Sequence, residues 1–248
     1  GPVDLEETSM RPCRRLQPSQ VFHAELQLGL WSEWAEDRTP MPLEILGPME
    51  GCIPEDRCRT LTTPVLAQTE ERSWPRVIVP YEDGFFVVSS IGRGYELKRD
   101  GTFVAQANLD AEAATGTLDP EGRVILGGFH GELWTLQGGR YIEESLGVDE
   151  EIVALAYSRD GSQLAVLSIV ERDEDDVSFK AWVREGSGEF LMVNEHAVDR
   201  FVPFEASIAW LENGSFFYYD GRGRMFDDRL PYVNLLTELL GIKSLASH

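Results

Sequence analysis

Four short turns recur through the middle of the chain, each placing an acidic residue or Asn just before a glycine. They read YEDG ending at Gly84, DPEG at Gly122, SRDG at Gly161 and LENG at Gly214. Such pairs make tight hairpins, because Gly and Asn tolerate the positive φ that these turns demand. Successive glycines lie 38, 39 and 53 residues apart, and the long interval holds a charged insertion, ERDEDD, at residues 171–176. A repeat of this kind restricts the chain to a serial all-β architecture built from hairpins.

A short apolar run follows each turn: Phe85-Phe86-Val87-Val88, Val124-Ile125-Leu126, Leu164-Ala165-Val166-Leu167 and Phe216-Phe217-Tyr218-Tyr219. Continuous β-prone runs bounded by turn residues fit strands covered on both faces. Second turns follow at IGRG (91–94), GFHG (128–131) and DGRG (220–223), and in the third repeat the acidic insertion takes this place. A bulky residue then recurs in the next strand, as Leu97, Trp134, Trp182 and Phe226. These four are expected to pack between neighbouring units. Further turns at RDG (99–101), QGG (137–139) and REGSG (184–188) lead into last strands such as 103–109 and 141–145. Each unit thus has four strands, and a period of about 40 residues is that of a propeller blade.

The stretch ALAYSRDGSQLAV…FKAWVREGSGE resembles a repeat of the WD-repeat and TolB-like propellers. In those families an Asp-Gly turn joins the first two strands, and the third strand ends near a Trp followed by a Gly-containing turn. The resemblance is best over 152–188, extends over about 76–229, and implies an architecture. The Trp-Asp dipeptide is replaced, since Val183 follows Trp182 and Thr135 follows Trp134.

The expected fold is therefore all-β, a small β-propeller of four or five four-stranded blades with a C-terminal α-helix. Gly1-Pro2 reads as the remnant of a cleaved tag, and residues 1–20 as a flexible tail. Residues 21–72 hold three candidate strands, FHAELQLGLW (22–31), PLEILG (42–47) and RTLTTPVLAQ (59–68), which form a degenerate fifth blade or supply a ring-closing strand. The propeller repeats occupy 73–229. In the remainder, 230–248, Val233, Leu236, Leu239 and Leu240 are spaced for one helix face between Pro231 and Gly241. That face packs on the propeller or docks on a partner.

The 248 residues carry a formal charge of −21. Such a surface repels phosphate backbones and anionic membranes, so neither nucleic acid nor membrane insertion is expected. No apolar run approaches the roughly 18 residues that span a bilayer. A basic protein is the partner that the charge favours. Of Cys13, Cys52 and Cys58, the last two bracket a loop too long for a zinc pair, and no second ligand pair follows. A Cys52–Cys58 disulfide would place the protein outside the cytoplasm; free thiols would favour the cytoplasm.

Walker, HExxH, GxSxG and EF-hand patterns are missing from the sequence. No catalytic residue, metal or cofactor is expected. Recognition is expected instead on the turns between second and third strands, which share one face of a propeller with the blade-to-blade connections. Those turns carry Arg93, His130, Asp173, Glu174, Asp175, Asp176 and Arg222, and polar tips on a rigid scaffold suit binding. The expected function is a non-catalytic scaffold or adaptor in a larger assembly. Carbohydrate binding is one alternative; it requires Trp134 or Trp182 exposed at a blade edge, and Trp31, Trp34 and Trp74, in less regular sequence, are the better candidates for exposed aromatics. A hydrolase or lyase site in the central channel is the other.

Overall fold

The computed structural model describes residues 21–23, 28–31, 43–46, 58–61, 75–98, 102–173, 176–198, 206–220 and 225–227. Among these there are nineteen β-strands in five sheets, and no helix. The first sheet is β1 (Val21–His23), β2 (Leu28–Trp31), β3 (Leu43–Leu46) and β4 (Cys58–Leu61). The second is β5 (Pro75–Tyr81), β6 (Gly84–Ser89), β7 (Arg93–Lys98) and β8 (Phe103–Asn108), and the third is β9 (Ala113–Leu118), β10 (Val124–Gly128), β11 (Glu132–Gln137) and β12 (Arg140–Ser145). The fourth is β13 (Glu151–Tyr157), β14 (Gln163–Asp173), β15 (Asp176–Glu185) and β16 (Leu191–Val198), and the fifth is β17 (Ala206–Trp210), β18 (Phe216–Asp220) and β19 (Met225–Asp227). Every sheet is an antiparallel meander whose strands follow chain order.

The sheets stack in series through their first strands, β1 on β5, β5 on β9, β9 on β13 and β13 on β17. An apolar layer fills each of the later gaps. Val77, Val79, Phe86, Val88, Leu126 and Trp134 lie between the second and third sheets. Ile125, Leu133, Ile152, Leu155 and Val166 lie between the third and fourth, and Ala165, Leu167, Phe179, Phe216 and Tyr218 between the fourth and fifth. Alternate residues of a second strand thus face opposite gaps, which is why those strands read as unbroken apolar runs. Two of the recurrent bulky residues, Trp134 and Trp182, serve these layers. Leu97 and Trp134 are buried, and Trp182 is half-buried against the third–fourth layer. Each fully buried large side chain contributes roughly 1.5–3 kcal/mol. Phe226 lies in β19, but its side chain falls outside the described residues.

The first hairpin turn departs from expectation. Gly122, Gly161 and Gly214 take positive φ, but in the first repeat Glu82 does so, at 44°. Gly84 instead opens β6 opposite Tyr81, and a Cβ there would stand 2.0 Å from the Leu97 carbonyl oxygen. Glycine is required there for close approach and not for the turn. The acidic residues act by accepting backbone N–H groups. Asp119 takes those of Glu121 and Arg123, Asp160 takes that of Ser162, and Asn213 takes that of Ser215.

Two further expectations are corrected. Residues 22–31 do not form one strand but split into β1 and β2, which pair as a hairpin with Val21 opposite Leu30. The acidic insertion is not a plain turn, because β14 and β15 run into it, pairing Glu171 with Val177 and Asp173 with Asp176. The expected helix at 230–241 and the Cys52–Cys58 loop lie outside the described residues.

Candidate protein-binding face

The strand directions gather the second-to-third turns and the sheet-to-sheet connections at one end of the stack. Pro75, where β5 starts, is opposite Ser89, where β6 ends, and Ala113 of β9 is likewise opposite Gly128 of β10. Backbone hydrogen bonds stitch turn to exit: the Leu109 N–H donates to the Gly92 carbonyl at 2.7 Å, and that of Leu146 to the Gly131 carbonyl at 2.8 Å. Gly131 is boxed in, since a Cβ would meet the Val148 carbonyl oxygen at 1.9 Å. The turns are therefore held against rigid backbone.

His130 caps the third sheet, exposed and with its Nδ1 2.9 Å from an Asp149 oxygen across the exit connection. Its backbone N–H donates to Glu132 at 2.8 Å. The hydrogen bond to Asp149, aided by the charges of Asp149 and Glu132, raises the imidazole above its usual pKa. Arg93 opens β7, half-buried, with its N–H donating to the Ser89 hydroxyl at 3.1 Å. It borders a shallow depression with Asp110 and Glu112.

Arg76 of β5 joins this end without any signal in the sequence. It donates to Glu112 at 3.1 Å while its guanidinium sits 4.5 Å above the Phe129 ring, a cation–π contact across two sheets. Its partners lie tens of residues away, so neither periodicity nor spacing marks it.

The fourth sheet carries the most prominent feature. Its first strand begins at Glu151, opposite Ile169, whereas β14 continues four residues further to Asp173. The β14–β15 ribbon thus overhangs β13 by about 13 Å at roughly 3.3 Å per residue. Asp173 and Asp176 sit opposite one another near its tip. Glu174 and Asp175, and Arg222 on the fifth sheet, lie outside the described residues. At the base of the ribbon is a buried polar network. Glu150 accepts hydrogen bonds from the Ser168 hydroxyl, at 2.6 Å, and from Lys180, and the Trp182 indole N–H donates to Ser168 at 2.8 Å. Every member has a partner, as burial demands, so the ribbon is anchored on both strands.

Arg93, His130 and the acidic ribbon therefore cap one end of three successive sheets. The turns of Arg93 and His130 are each held by their own exit connection, and the ribbon is held at its base by Glu150. Asp160 sits in a first-to-second turn, at the opposite end. There the Ser158 and Ser162 hydroxyls and the Ser162 N–H hold its carboxyl down to about 2. Among the described residues, no three His, Cys, Asp or Glu side chains gather as a metal site would require. No helix among them is long and apolar enough to cross a membrane.

No protein-family model and no curated protein matches the chain. Solved structures do resemble it. Streptogramin B lyase superposes with a TM-score of 0.54 at 15% identity, over 87% of this chain and 69% of the lyase. YCF48 bound to D1 peptide does so with a TM-score of 0.52 at 10% identity, over 89% of this chain and 69% of YCF48. The fold is a β-propeller. One of these propellers is a lyase and the other is seen with a peptide, so likeness at this identity carries the fold alone.

Proposed function

We propose that this propeller is a non-catalytic protein-binding scaffold or adaptor that takes a basic partner on the end bearing the β14–β15 ribbon. The overhanging acidic ribbon carries the reading. A strand pair that overruns β13, flanked by β16 as far as Val177 and anchored by a buried Glu–Lys–Ser–Trp network, carries the acidic sequence ERDEDD at its end on a stiff base. The formal charge of −21 adds long-range attraction for a Lys/Arg-rich surface.

The carbohydrate alternative asked for an exposed Trp134 or Trp182. Trp134 is only 4% exposed and Trp182 is half-buried against the apolar layer of its sheet, while the side chains of Trp31, Trp34 and Trp74 lie outside the described residues. The channel-centred alternative has no specific observation in its favour.

The test is affinity capture from a lysate with the purified chain as bait, beside a bait carrying Asp173→Asn, Glu174→Gln, Asp175→Asn and Asp176→Asn. A partner held by the parent, lost by the variant and weakened by salt is the expected result. Equal capture by both baits would remove the ribbon as the site. No capture by a folded parent bait would remove the adaptor reading.

A further inference from the structure

We propose that residues 230–240 of this same chain lie in the apolar groove between the fourth and fifth blades, against the lower half of β16. The outer strand β16 begins with three exposed apolar residues in a row: Leu191 at 67%, Met192 at 49% and Val193 at 43%. Leu191 and Val193, with Val183 and Trp210, line a groove of about 670 Å³. Farther along β16 the same strand is covered, because His196 stacks between Phe179 and Tyr218 with ring centroids 5.5 Å from each. The cover contributed by the fifth blade therefore reaches one half of β16 and not the other.

The chain itself points to the occupant. The fifth sheet has three strands among the described residues, where each of the others has four. Its third strand ends at Asp227, opposite Phe217, and the neighbouring Phe216 packs its ring 5.1 Å from that of Trp210. The chain thus leaves the last blade on the Trp210 side, beside the groove. Leu230 comes three residues later, within about 10 Å of extended reach. From there the sequence reads LPYVNLLTELL, with Leu230, Val233, Leu236, Leu239 and Leu240 available to cover β16. Charge agrees with this placement: Arg229 and Lys243 flank the run, while Glu185 and Glu189 border the groove.

The experiment places a photo-crosslinker in the full chain, as Leu191→p-benzoylphenylalanine at an exposed site that folding does not need. The expected product is a crosslink to a peptide within 230–240, formed inside one molecule. A mixture of heavy- and light-isotope protein should then give only same-isotope pairs. The same probe at Ile142, exposed on the outer strand of the third blade, should give no such product. Leu236→Asp with Leu239→Asp should abolish the crosslink from Leu191. Mixed-isotope pairs would mean that a second copy fills the groove. That result, the lack of any 230–240 crosslink, or a crosslink that survives the double substitution would overturn the proposal.

Discussion

His130 and Asp149 form a tie that pH can loosen. The pair raises the folded-state pKa of the imidazole above 6.5. Its stabilisation is therefore fully present below the unfolded value and is lost as pH rises through the raised one. Asp149→Asn should bring the His130 midpoint back down toward 6.5, read from imidazole proton shifts across a pH titration; an unchanged midpoint would contradict the pairing. Gly84 makes a different demand. Gly84→Ala drives a methyl against the Leu97 carbonyl and should destabilise the chain by about 1–3 kcal/mol in denaturant unfolding. The sequence marks Gly84 as special but for the wrong reason, because a turn glycine and a close-approach glycine look alike in one dimension. Arg76 is not marked at all, since its partners Glu112 and Phe129 meet it only after two sheets have stacked.

At the scale of elements, the second strands were the most legible part of the chain. A run such as Phe85 to Val88 must be covered on both faces, and a serial stack of sheets provides that cover. Trp134→Ala should cost about 3–5 kcal/mol, as expected for a large buried aromatic, and Trp182→Ala less, because its ring is only half-buried. The acidic ribbon was legible as an insertion but not as strands, since Asp and Glu are poor strand formers in isolation. Pairing from Gln163 through Asp173 overrides that preference once the ribbon is anchored. The anchor, Glu150 with Lys180 and Ser168, gave no sequence signal because its members lie 18 and 30 residues apart. Lys180→Met leaves the Glu150 carboxylate buried without its counter-ion and should cost about 3–5 kcal/mol. Glu150→Leu combined with Lys180→Met should recover most of that loss, and equal midpoints for the single and double variants would contradict a buried pair.

For the whole molecule, the repeat determined the serial meander, and the N-terminal strands add a further four-stranded sheet that the turn periodicity did not reach. A stack of rigid sheets presents two ends, and charge and reach distinguish them. One end bears the ribbon, His130 and Arg93, while the other bears short turns such as that of Asp160. Binding of a basic partner at the ribbon end should weaken between about 0.05 and 0.5 M salt, since exposed charges are screened over a Debye length. The most direct measurement is hydrogen–deuterium exchange of the full chain with and without its captured partner. The account predicts added protection in peptides spanning 129–131 and 168–180, with the 159–162 and 212–214 turns unchanged. Protection confined to those latter turns, or to no part of the propeller, would contradict it.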